Sequence, residues 1–209
     1  RAVASALPQE IQKELENVFG KPVIQTFGMT EAGPLITTNL LPPKKRKLGS
    51  VGQSSGSELA IMNEKGSILK AGEIGEIVIK GKNVFNGYEG NDTENERAFR
   101  HQWFHTGDLG YLDDESFIFL TGRIKEQINR GGEKISPQEI DDALLQHSSI
   151  LNAASFAIPH PTLGEEVAAA VVLKDKNVSE IDLEKLSQEL HQENTKNNFE
   201  QNPNNEEEQ

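Results

Sequence analysis

The chain has 209 residues, 21 basic and 33 acidic side chains, a net charge of −12 and 35% hydrophobic residues. That length holds one large core or two small ones, and the acidic balance argues against general nucleic-acid or membrane-surface binding, because a phosphate surface repels most of the molecule. With no cysteine, disulfides, cysteine-ligated zinc and thiol nucleophiles are excluded, and the apolar runs are far shorter than a membrane span.

Arg1-Ala2-Val3 carries neither an initiator Met nor a signal pattern and reads as an interior cut point. Pro8 to Phe19 predicts a first helix, with Ile11, Leu15, Val18 and Phe19 on one face, Pro8 in the first turn and Gly20 as the stop. Val23 to Phe27 predicts a short strand that runs into a Gly- and Thr-rich turn, a frequent place for ligand contact. From Leu48 to Gly122 the pattern is β: Ser57–Met62, Glu76–Lys80, Leu109–Leu112 and Phe117–Thr121 are short apolar runs bounded by turn chemistry, which predicts a small antiparallel barrel or sheet. A new unit begins near Gly122. Ser136-Pro137-Gln138-Glu139 predicts a capping box with Pro at the first helical position, and Ile140, Ala143 and Leu144 form the apolar face behind it. Ala153–Ile158 and Val167–Leu173 read as strands, and Ser179 as the cap of a third helix with Leu183, Leu186 and Leu190 on its face. Beyond His191 the Asn-, Gln- and Glu-rich sequence is too polar to bury a core and predicts a disordered tail.

Three segments carry candidate chemistry. In Thr26-Phe27-Gly28-Met29-Thr30-Glu31-Ala32-Gly33-Pro34, the glycines permit tight turns, Thr30 offers a hydroxyl to a phosphate oxygen, and Glu31 offers a carboxylate to a hard cation such as Mg2+. An ordinary polar loop with a helix cap is the plain alternative. In Trp103-Phe104-His105-Thr106-Gly107-Asp108, a carboxylate after a Gly turn can accept from both hydroxyls of a ribose; a turn-capping Asp is the alternative. His105 has no partner visible in the sequence and reads as structural, and Trp103 and Phe104 read as core. Gly122-Arg123-Ile124-Lys125 to Pro137 is the most basic chemistry-bearing stretch of this acidic chain: Arg123 can pair a phosphate or ribose oxygen, and Gly131-Gly132 allows close approach of a ligand. A solvated linker is the alternative. Pro42-Pro43-Lys44-Lys45-Arg46-Lys47 has the composition of a nuclear import signal, a pattern that chance produces easily.

In this order and spacing the Gly-Met-Thr-Glu loop, the Thr-Gly-Asp turn and the Gly-Arg-Ile-Lys segment resemble three motifs of the adenylate-forming superfamily, which includes acyl-CoA synthetases, 4-coumarate–CoA ligases, luciferases and peptide-synthetase adenylation domains. Gly75-Glu76-Ile77 with Gly87-Tyr88 resembles another. Gly49-Ser50-Val51-Gly52, Asn63-Glu64-Lys65-Gly66, Asn83-Val84 and the run from Ile128 to Pro137 resemble the oxalate–CoA ligase branch. The resemblance covers residues 1 to about 190. It implies an α+β chain in which 1–122 closes a large AMP-binding α/β domain and includes a small β-barrel subdomain, 123–126 is a hinge, 127–190 is an incomplete mobile C-terminal domain, and 191–209 is the polar tail.

The resemblance further implies that a carboxylic acid and MgATP form an acyl adenylate and pyrophosphate, after which CoA forms the thioester and releases AMP. A broader acyl– or aryl–CoA ligase and a non-catalytic AMP-binding relic remain as alternatives. Carried onto this chain, Thr30 touches the α-phosphate, Glu31 holds Mg2+, Asp108 binds the ribose beside Arg123, and Phe27, Gly28 and Met29 run along the adenine. Ala4, Ser5 and Ala6 pass near the base, Lys125 is the hinge, and Gly131 and Gly132 line the CoA channel. The Ser/Thr/Gly-rich phosphate loop and the C-terminal lysine of such enzymes have no match in these 209 residues. The expectation is therefore a fragment, inactive and poorly soluble alone, whose main packing partner is an N-terminal domain. The expected setting is cytoplasmic, with a peroxisomal one for a full-length protein as the alternative.

Overall fold

The computed structural model describes residues 1, 2 and 7–174. Ala4, Ser5, Ala6, the helix expected from Ser179 and the polar tail lie outside them. Helix α1 spans Gln9–Phe19 and stops at Gly20, whose left-handed backbone (φ 60°) ends the turn as expected. Pro8 is extended and stands just before the helix rather than within its first turn. The face it buries also differs. Val18 and Phe19 point outward, whereas Gln12 is 1% exposed. Its amide nitrogen donates to Val23 O at 3.1 Å, and its amide oxygen accepts from Gln25 Nε2 at 2.7 Å. A buried amide with both ends paired is the anchor that a count of apolar positions overlooks.

Strands β1 (Thr26–Met29), β2 (Gly33–Thr38) and β3 (Gln53–Ser54) form a three-stranded antiparallel sheet in that order. Next come β4 (Glu58–Met62), β5 (Gly75–Lys80), helix α2 (Asp92–Ala98), β6 (Phe99–Arg100), β7 (Trp103–Leu112) and β8 (Ile118–Arg123). Their sheet runs β4-β5-β7, with β6 and β8 both paired to β7, and it is open where a barrel was one of two expectations. Helix α2 was not expected; its seven residues lack an apolar stripe, and Asn91 caps it by accepting from the Glu94 N–H at 3.3 Å. Strand β5 is buried on both faces, with Ile77, Val78 and Ile79 all at 0% exposure. Phe27, Ala32 and Ile36 from the first sheet share one core with Ile61, Ile77, Ile79, Phe104 and Ile118 from the second. Phe104 is thus core as expected, while Trp103 is half-buried beside a smaller cluster.

The chain leaves β8 through a 3-10 turn over Ile124–Glu126 and enters β9 (Ile128–Arg130), β10 (Glu133–Ile135), helix α3 (Pro137–Leu145), β11 (Ile150–His160) and β12 (Gly164–Leu173). These strands form a separate sheet in the order β10-β9-β12-β11, with α3 packed on it through Ile140, Leu144 and Leu145 against Ile150, Ala153 and Val171. Pro137 takes the first helical position as expected, but the capping box does not form. Ser136 instead donates its hydroxyl to Thr121 O on β8, so the residue expected to close a helix end ties the second unit to the first. No helix among the described residues is long and apolar enough to cross a membrane.

Candidate functional site

The Thr30–Glu31 turn joins β1 to β2, and the two strands meet with an irregular register. Phe27 faces Thr37 and Met29 faces Gly33, so Gly28 alone lies opposite Pro34, Leu35 and Ile36. A Cβ at Gly28 would lie 2.4 Å from both the carbonyl carbon and the oxygen of Pro34. The backbone of Gly28 is not left-handed; its glycine is required by this close approach, not by a tight turn. Thr30 is exposed and Glu31 half-buried. Glu31 Oε1 accepts from the Tyr88 hydroxyl at 3.0 Å, and its main-chain oxygen accepts from the Phe85 N–H at 2.8 Å. Burial, followed by the bond to Glu31, raises the Tyr88 pKa, so the phenol stays protonated and donates.

Asp108 lies on β7 inside a bulge. Val78 pairs with His105 and Glu76 with Leu109, which leaves Thr106, Gly107 and Asp108 opposite Ile77 alone. The motif expected as a turn is therefore a two-residue excess within a strand, a device that re-aims side chains. Gly107 takes φ 75° there. Thr106 Oγ1 donates to Ile77 O at 2.7 Å and accepts from the Asp108 N–H at 3.1 Å. The carboxylate of Asp108, only 7% exposed, meets Arg123 Nε at 3.0 Å across the β7–β8 pair, where the two residues face each other in register. Burial raises the Asp108 pKa; Arg123 opposes that shift, while the like charges of Glu126 and Glu76 add to it.

Asp108 and Arg123, 15 positions apart, are thus brought together. The Thr30–Glu31 turn reaches the same sheet through an aromatic bridge: Phe85 stacks edge-on against Tyr88 at 4.8 Å and against Phe104 of β7 at 5.6 Å. Lys125 sits exposed in the 3-10 turn between the two sheets. Gly131 and Gly132 form the exposed β9–β10 turn with φ 62° and 100°, conformations that favour glycine. The Gly131 N–H donates to Leu163 O at 2.9 Å.

His105, for which the sequence shows no partner, has one in the fold: its Nδ1 lies 2.6 Å from Glu76 Oε2. Glu76 and Tyr88 fall in matched segments, yet the sequence assigns them no role. Their contacts span 29 and 57 positions, and no local pattern announces them. The basic run is likewise engaged. Arg46 makes a two-pronged pair with Glu16 at 2.6 and 2.8 Å, Lys45 pairs with Glu115, and Lys47 pairs with Asp113 and Glu115 while lying over the Phe117 ring. It is a strap on the fold, which disfavours the import reading.

A cavity of about 170 Å3 opens between α3 and the first unit, bordered by Gln9, Val51, Tyr111, Phe119, Glu139 and Asp142. It does not include the motif residues. Burial raises the pKa of both Glu139 and Asp142.

Among the described residues no group of three or more His, Cys, Asp or Glu surrounds a metal position. A Mg2+ that takes one carboxylate and completes its shell with nucleotide phosphates and water does fit, because Tyr88 occupies only one oxygen of Glu31.

Comparison with known proteins is consistent with this geometry. Residues 2–89 match the family model for AMP-binding enzymes, and residues 139–199 match that for the AMP-binding enzyme C-terminal domain. The chain belongs to the AMP-binding, adenylate-forming enzymes, a family of acid–CoA ligases and their kin. Its relatives include an oxalate–CoA ligase of Arabidopsis thaliana, 45% identical over 84% of this chain and 34% of the relative, and one of Saccharomyces cerevisiae, 47% identical over 83% and 32%. Among solved structures, o-succinylbenzoate coenzyme A synthetase from Bacillus subtilis in complex with ATP and magnesium ion superimposes with a TM-score of 0.74 at 35% identity, covering 89% of this chain and 38% of that one. The chain spans about a third of the length of the curated relatives it matches.

Proposed function

We propose that this chain is the C-terminal part of an AMP-forming carboxylic acid–CoA ligase, with oxalate as the acid. In the reaction, a carboxylate oxygen attacks the α-phosphorus of ATP, pyrophosphate leaves, the CoA thiol then attacks the acyl carbon, and AMP leaves. The observation that carries the reading is the buried Asp108 carboxylate held by Arg123 on facing strands. A carboxylate has room for about four acceptor contacts, so one arginine bond leaves capacity for both ribose hydroxyls. Arg123, largely exposed, remains free to turn toward the same ligand.

Thr30 offers its exposed hydroxyl to the α-phosphate, and Phe27 to Met29 supply backbone along the adenine. Ala4, Ser5 and Ala6 are assigned to the base by resemblance alone. Glu31 would hold Mg2+ through the oxygen that Tyr88 leaves free; the ion, when bound, neutralises phosphate charge. Lys125 is the pivot between units 1–122 and 127–190, since the link there is a three-residue turn with exposed side chains, and few residues absorb such rotations. Gly131 and Gly132 would face CoA after that rotation. The cytoplasm, or the peroxisome, is the proposed setting.

Acid-dependent exchange between ATP and labelled pyrophosphate tests the reading, with oxalate compared against longer and aromatic acids. Exchange with oxalate foremost is expected from the protein carrying the large domain, and little from these 209 residues alone. Exchange led by another acid would replace oxalate with the broader ligase class. AMP binding without exchange under any acid would favour the relic.

A further inference from the structure

We propose that Glu76 and His105 are a positioning pair that sets the aim of the Asp108 carboxylate by pinning the bulge that carries it; the inference rests on reading Asp108 as the ribose acceptor. Glu76 uses its two oxygens on two different parts of that bulge. Oε1 accepts from the Gly107 N–H at 3.0 Å, and Oε2 lies 2.6 Å from His105 Nδ1. In the tautomer that carries its proton on Nδ1, the ring donates to Oε2. The pair is well shielded, with side-chain exposures of 13% for Glu76 and 6% for His105.

The bulge needs such a fastening. Three residues of β7 stand opposite Ile77 alone, so the regular ladder is interrupted where Asp108 must be aimed. Thr106 closes one side of the gap through its hydroxyl. The Gly107 N–H lies on the other side, and its acceptor is Glu76. Arg100 also approaches the pair, 3.8 Å from Glu76 Oε2 and with Nη2 3.4 Å from His105 Nδ1, but its side chain is half exposed and both contacts are long, so it contributes little beside the 2.6 Å Glu76–His105 bond.

Two costs are sustained to keep the arrangement. A second carboxylate is placed near the buried Asp108, whose charge it opposes. The far nitrogen of His105, Nε2, is buried with no hydrogen-bond partner. Unsatisfied buried groups of this kind are uncommon and concentrate where a constraint other than stability is met. Positioning is such a constraint, because a small misplacement of an orienting group weakens the contacts made by the ligand.

The test compares the affinities of AMP and 2′,3′-dideoxy-AMP, which differ only in the hydroxyls that Asp108 is read to bind. The unaltered protein should favour AMP by about tenfold or more, the value of one to two hydrogen bonds to a charged group. Glu76→Ala should bring that ratio toward one with dideoxy-AMP affinity unchanged, and Glu76→Gln, which keeps an acceptor for Gly107, should restore most of it. His105→Phe keeps the ring volume without the donor; it should lower the ratio by about threefold, half of that bond energy, and decides the matter should Glu76→Ala not fold. A ratio that stays near tenfold in Glu76→Ala or in His105→Phe overturns the positioning pair and leaves the ribose reading intact. A ratio of one in the unaltered protein overturns the ribose reading itself. The pair is then judged by hydrogen exchange at the Gly107 amide, expected to be faster in Glu76→Ala than in Glu76→Gln; equal rates overturn it.

Discussion

The Thr30–Glu31 hairpin and the Thr106–Asp108 bulge solve one problem in opposite ways. Each carries a side chain proposed to meet the nucleotide out of a regular antiparallel ladder. In the hairpin the surplus residues lie on β2, and Gly28 is the flat spot that lets the displaced Pro34 backbone pass. In the bulge the surplus lies on β7 itself, and Gly107 is the displaced residue, taking a left-handed conformation with open space where a Cβ would stand. The carboxylates are held differently too. Glu31 is oriented by a neutral phenol, which leaves its charge available to a cation, whereas Asp108 is already matched to Arg123 and suits neutral hydroxyls. One glycine is dictated by contact and the other by torsion.

That contrast can be broken by substitution. Gly28→Ala should have the largest effect, a loss of about 3 kcal/mol, because its methyl meets backbone that cannot rotate away; urea denaturation measures it. Gly107→Ala should cost only about 1–2 kcal/mol, the torsional strain of a non-glycine in that region, read by the same method. Equal losses would erase the distinction.

A third prediction concerns charge. Burial raises the Asp108 pKa in the folded state, so folding binds this proton more tightly than the unfolded chain does. The group's contribution is favourable below the unfolded value, about 3.9, and is lost as pH rises through the higher folded value. Asp108→Asn should therefore raise the Tm at pH 7 relative to the parent, and the difference should shrink as pH falls toward 4; thermal melts across that range check it. A lower Tm at pH 7 would mean that the Arg123 pairing outweighs burial. Lys125→Ala should have the smallest effect, less than about 0.5 kcal/mol, since the side chain is exposed in its turn. A larger loss would argue against a free pivot.

Much of this architecture is legible in the sequence because local chemistry states it. Gly20 stops α1, Pro137 opens α3, and the apolar runs at Glu58–Met62 and Gly75–Lys80 become strands within a residue of expectation. The Asp108–Arg123 meeting follows from two motifs on strands joined by a short turn. What is not legible depends on pairing between distant segments. The Thr-Gly-Asp motif looks like a turn because its bulge exists only relative to β5. Ser136 looks like a cap because its true acceptor, Thr121 O, is set by the docking of α3 on β8. Helix α1 leaves Val18 and Phe19 exposed and Ile11 and Leu15 half-buried, while its one fully buried side chain is Gln12, bonded to Gln25. The two-residue turn between β6 and β7, His101-Gln102, takes φ 53° and 68° without the Asn-Gly signature that usually marks such hairpins.

The placement of Trp103 supplies an optical reporter. It is the sole indole of the chain, half-buried at the start of β7, with Lys80 Nζ 5.9 Å from its ring centre. Its emission therefore samples the strand that bears Asp108, which belongs to a different sheet from β11 and β12. Fluorescence should follow melting of the central sheet, leaving circular dichroism to register the remainder, so separate transitions would reveal two folding units without any attached dye.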